Sequence, residues 1–124
     1  MFELTINEQV YQFKFGIGFV KEINKTATKP VDGIPGEMEE VGLRYSIAKI
    51  MDGDVLELIR VLVLANKGFE PRVTYGVLET YIDEELEDID ELFGTVMDFL
   101  EKANATKRIM KALLKAVQEA EENA

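Results

Sequence analysis

Apolar residues recur at two different periods along this chain, and the change between them limits the fold more than any other feature. Phe2-Glu3-Leu4-Thr5-Ile6 alternates apolar and polar, as does Tyr11-Gln12-Phe13-Lys14-Phe15, with Asn7-Glu8-Gln9 supplying turn chemistry between them. That pattern predicts a β-hairpin with one buried face. Two strands are marginal alone in water, so the hairpin needs helices to pack on. After Gly36 the apolar spacing becomes three and four, the period of a helix. The expected fold is mainly α: an N-terminal β-hairpin packed on a bundle of five or six helices, in a single domain over residues 1–124. A chain of this length buries roughly two-thirds of its extended surface, enough for a core without disulfides or metals.

The segments follow from local signals. A helix starts near Gly16 or Gly18 with Phe19, Val20 and Ile23 inward, and Thr26 to Gly36 has loop composition. Met38, Val41, Tyr45 and Ala48 then recur at helical spacing, with Leu43, Ile47 and Ile50 widening the stripe. Asp52-Gly53-Asp54 breaks that helix, and Asp54 suits an N-cap for the next. Val55 to Ala65 is apolar nearly all round and reads as the central buried helix, a strand being the alternative because of its β-branched content. Lys67-Gly68 ends it. Pro71 then opens a helix with Val73, Val77, Leu78, Tyr81 and Ile82 inward.

The last third is the most regular. Leu86, Ile89, Phe93, Val96 and Leu100 form a heptad-like seam, Asn104 offers a break, and a final helix carries Met110, Leu113, Leu114 and Val117 on one stripe. These nine residues are the candidate surface for a partner or for self-association. Packing against the domain's own core is the competing reading. Because the last helix follows a breakpoint, it is expected to be dispensable for folding of the remainder and needed for assembly.

Chemistry is narrowly bounded. The chain has no cysteine and no histidine, which removes thiolate chemistry and the commonest base and metal ligand. Carboxylate pairs remain, but the acids lie on consecutive helix turns and there is no tryptophan to act as a sugar platform. An enzyme, a metal site and a cofactor are therefore not expected. Gly16-Ile17-Gly18 opens like a dinucleotide loop, yet the third glycine position holds Lys21. The acidic run at 83–91 lacks the glycine and glutamate spacing of a calcium loop.

Net charge is −10, so phosphate backbones and anionic membranes are poor partners. Met1-Phe2-Glu3-Leu4 has neither the basic region nor the apolar run of a signal peptide, which gives the expectation of a cytoplasmic protein. The charge is also segregated. From Glu79 to Glu101 there are ten acids and no base, and from Lys102 to Gln118 five bases and no acid. Such polarity can pair two helices of one hairpin, or one subunit's acidic helix with another's basic helix.

The order of segments carries a further signal. The hairpin runs directly into KFGIGFVKEINK at 14–25, followed by DGDVLELIRVLVLA at 52–65, LETYIDEE at 78–85 and IDELFGTVMDFLEKANATK at 89–107 before a basic last helix. Across essentially its whole length the chain resembles the tail assembly chaperones of long, flexible-tailed phages and prophages of Gram-positive bacteria. The resemblance implies binding and solubilising the tape measure protein, helping to bring tail tube subunits to it, and acting in the host cytoplasm without remaining in the mature virion. It brings no catalytic residues. The heptad seams and the segregated charge also suit a homo-oligomer. A structural tail-completion or connector protein, and a small acidic phage protein that binds a host factor, are the alternatives.

Overall fold

The alternating opening folds as expected, with its turn one residue tighter. In the computed structural model, which describes residues 1–123, β1 (Phe2–Ile6) pairs antiparallel with β2 (Gln9–Phe13), Phe2 opposite Phe13 and Ile6 opposite Gln9. Asn7 and Glu8 alone make the turn, both at positive φ (51° and 67°), a conformation whose twist matches that of the strands. The second strand therefore begins at Gln9 instead of Tyr11, and Phe15 lies beyond it. Phe2, Ile6 and Phe13 are buried on one face. The Phe2 ring stacks on Phe13 at 5.0 Å and meets Phe99 at 4.8 Å, which ties the hairpin to the helices.

Helix α1 (Ile17–Asn24) starts behind Gly16 and buries Phe19 and Ile23. The stretch expected to be loop contains a second hairpin, β3 (Thr28–Pro30) with β4 (Met38–Glu40). Every residue of both strands is exposed, so no apolar alternation marks it.

Helix α2 (Gly42–Met51) corrects the expected stripe. Leu43, Ser46, Ile47 and Ile50 are buried, whereas Met38 precedes the helix and Tyr45 is exposed. The contact with α1 fixes this rotation. A Cβ on Gly42 would lie 1.8 Å from the Ile23 carbonyl oxygen, and the Leu43 N–H donates to Asn24 Oδ1 at 3.0 Å. Only glycine permits that approach.

Helix α3 (Val55–Ala65) is the central helix, with the bounds read from the sequence. Asp54 caps it, its Oδ1 accepting from the Glu57 N–H at 3.0 Å. It packs against α1 and α2. The buried Glu57 carboxylate is satisfied there: Ser46 Oγ donates to it at 2.7 Å, and Arg60 holds it at 2.6 Å.

Helix α4 (Tyr75–Thr80) starts four residues after Pro71, capped by Thr74, and widens into a π-helical turn over Tyr81–Glu85. The delay has a cause. The buried Asn66 Oδ1 accepts from the Val73 N–H at 2.7 Å and its Nδ2 donates to the Pro71 carbonyl oxygen at 3.3 Å, which holds this link against the end of α3. Val73 and Leu78 are buried as expected.

Helix α5 (Ile89–Lys102) does not include Leu86, which sits in an extended link at φ −67°, ψ 124°. Asp88 starts the helix, accepting from the Asp90 N–H at 3.0 Å. The continuous seam from Leu86 is thus broken, and the buried stripe is Leu92, Val96 and Leu100. The chain breaks near Asn104 as expected. Buried Thr106 donates its hydroxyl to the Leu100 carbonyl oxygen at 2.6 Å, and α6 (Lys107–Glu122) returns along α5 and α2.

Candidate partner-binding surface

The nine seam residues separate by depth. Val96, Leu100 and Met110 are no more than 1% exposed and belong to the chain's own core. Leu86, Ile89, Phe93, Leu113 and Leu114 are half-buried and pack against that core. Val117, at 44% exposed, is the one that faces outward. The expectation that the whole last helix is separable from the fold is narrowed accordingly. Its first half is core packing, and from Lys115 to Asn123 every residue is exposed.

The segregated charges do not pair across the hairpin. Among the described residues no ion pair joins α5 to α6: Lys102 meets Asp98 at 2.9 Å within α5, and Lys115 meets Glu119 at 3.9 Å within α6. The two helices meet through apolar side chains. Arg108, Lys111 and Lys115 of α6 are exposed, as are the acids at 83–85, 87–88 and 90–91.

Two surface features carry no periodic signal in the sequence. Ile17 is 63% exposed between Gly16 and Gly18, flanked by grooves of about 560 and 490 Å³ that reach Leu64 and Phe69 on one side and Phe99 and Ala103 on the other. An apolar residue set between two glycines was the only available clue. Glu22 borders the first groove, where the Lys67 ammonium bonded to it at 3.1 Å, with Lys25 beside it, holds its carboxyl below the ordinary value.

The second feature is a groove of about 790 Å³ between the first hairpin and α4 with its π turn. Ile6, Tyr11, Val77 and Tyr81 line it together with Glu84 and Glu85. Burial pushes the Tyr81 phenol up, and the carboxylates of Glu85 and Glu91 add to the effect. Among the described residues no group of three or more carboxylates is placed to hold a metal ion.

A family model described as phage tail assembly chaperone protein, TAC, matches residues 3–115 of the 124. The chain belongs to this family. The match takes in the first hairpin, the groove beside it and the core-packed half of α6, so the chaperone's matched region is the folded body itself. Membership places the chaperone in tail assembly, a role carried by protein partners and not by catalysis. No described helix is long and apolar enough to cross a membrane. No curated protein and no solved structure matches the chaperone significantly.

Proposed function

We propose that this chaperone binds the phage tape measure protein, keeps it soluble in the host cytoplasm, helps bring tail tube subunits to it, and works in several copies. The observation that carries the reading is the family match across residues 3–115. The surface is in keeping with it. A long helical client exposes apolar stripes, and the outer half of α6, where Val117 is exposed, is open to such a partner. A net charge of −10 keeps a crowded complex of many copies in solution.

The test is co-purification. The full chain, tagged and expressed with the tape measure protein and tube protein of the same phage, is expected to retain the tape measure protein. It is also expected to be missing from finished tails. Retention of the chain in purified virions would instead favour a connector, and retention of a host protein in place of the tape measure protein would favour a host-directed role.

A further inference from the structure

We propose that Asp32 is a modification site: its backbone isomerises spontaneously to isoaspartate through attack by the Gly33 nitrogen, while the same step at Asp52 is held closed. The inference is independent of the client and of how many copies act together.

The sequence holds two Asp-Gly steps, Asp32-Gly33 and Asp52-Gly53. Glycine after aspartate favours this reaction because no Cβ shields the attacking nitrogen and the backbone turns freely. The two steps are matched in most respects. All four residues are exposed, both glycines have φ of +80°, and nothing lies within 4 Å of a Cβ added to either. Exposure and local sequence do not separate them.

Hydrogen bonding does. Asp52-Gly53 closes helix α2: the Asp52 N–H donates to the Ala48 carbonyl oxygen at 3.1 Å, the Gly53 N–H to that of Ile50 at 3.0 Å, and the Asp54 N–H to that of Lys49 at 3.0 Å. A glycine at positive φ just past a helix end is held by such bonds. Asp54 in turn caps α3, so the Gly53 nitrogen sits between two anchored helix ends. It reaches the Asp52 carboxyl only if the last turn of α2 opens.

Asp32-Gly33 lies at the centre of a turn, Val31 to Ile34, in the link between β3 and β4. The Ile34 N–H donates to the Val31 carbonyl oxygen at 3.3 Å, and in a second turn the Glu37 N–H donates to that of Ile34 at 3.2 Å. The central peptide of such a turn takes no part in its closing bond. Among the described residues the Gly33 N–H accordingly has no acceptor. The strands on either side bury nothing, so no packing resists rotation of this peptide.

The chemistry balances within the segment. The Gly33 nitrogen lone pair bonds to Asp32 Cγ, and the protonated carboxyl loses its hydroxyl with the nitrogen's proton as water, leaving a cyclic imide. Water then adds to one imide carbonyl or the other. Opening at Cγ restores aspartate. Opening at the former peptide carbon gives isoaspartate, whose main chain runs through Cβ and Cγ and is one carbon longer. No oxidant, metal or cofactor enters.

Peptide mapping of the purified full chain, aged in mildly acidic buffer, tests this. Trypsin leaves the two steps on separate peptides, Thr26–Arg44 and Ile50–Arg60, because the Lys29-Pro30 bond resists it. Isoaspartate is read by chromatography with mass spectrometry and by resistance to a protease that cuts before aspartate. In the folded chain it is expected to build up at least about tenfold faster in the first peptide than in the second. In concentrated urea, where α2 is unfolded, the two rates are expected to agree within about threefold. Asp32→Glu, which forms the corresponding larger ring far more slowly, is expected to remove the first signal and leave the second unchanged. Equal rates in the folded chain, faster reaction at Asp52, or no isoaspartate at Asp32 would each overturn the proposal. A gap that persists in urea would trace the difference to flanking sequence and overturn it too, as would a signal in the first peptide that survives Asp32→Glu.

Discussion

The Asn66 side chain donates to the Gln12 carbonyl oxygen at 2.9 Å, joining the end of α3 to β2 across 54 positions of sequence. Asn66 is fully buried and also accepts from the Val73 N–H at 2.7 Å and from Arg72 Nη1 at 2.9 Å. One amide thus holds three segments together. Asn66→Ala leaves the buried Val73 N–H unpaired and is expected to cost about 2–4 kcal/mol, read as a lower urea midpoint. Loss of less than about 0.5 kcal/mol would mean the three segments are held elsewhere.

Gly42 and Gly94 are expected to respond to alanine with opposite signs. At Gly42 the new methyl would sit 1.8 Å from the Ile23 carbonyl oxygen and 2.7 Å from Thr26 Oγ1, so α1 and α2 must separate. A loss of about 2 kcal/mol or more is expected in thermal melting. Gly94 lies on the exposed side of α5 with nothing within 4 Å of its added Cβ. Gly94→Ala is expected to stabilise by about 0.5–1 kcal/mol, because glycine is a poor helix former.

The two halves of α6 are expected to separate cleanly. Met110→Ala removes a side chain 1% exposed and is expected to cost about 2–4 kcal/mol. Val117→Glu, at a position 44% exposed, is expected to leave the melting midpoint within about 0.5 kcal/mol of wild type. Chemical denaturation of the two variants side by side checks both. Equal destabilisation would show that the outer half is packed too.

Local signals made much of this fold legible. Asp54 followed by an apolar run gave α3 to the residue, because a cap and a buried helix are written within a dozen positions. Phe2 to Phe13 gave the first hairpin for the same reason. What escaped depends on partners far away. For α2 two overlapping stripes were on offer, and the one with Leu43, Ile47 and Ile50 is buried because Gly42 must face Ile23 and Ser46 must reach Glu57. Leu86 kept the heptad spacing, yet the π turn and the Asp88 cap place it in a link. The strands at Thr28–Pro30 and Met38–Glu40 bury nothing, so no pattern announces them. The acidic groove joins Ile6 and Tyr11 to residues 74–85, and no spacing within one segment can show that.

The most direct test of the central claim is the fate of the tape measure protein itself. It is expressed with and without this chain, and its soluble share is measured after centrifugation of the lysate. The tape measure protein is expected to be largely insoluble alone, to become soluble with the chain present, and to sediment together with it. Equal solubility in both cases, or a soluble tape measure protein that sediments free of the chain, would contradict it.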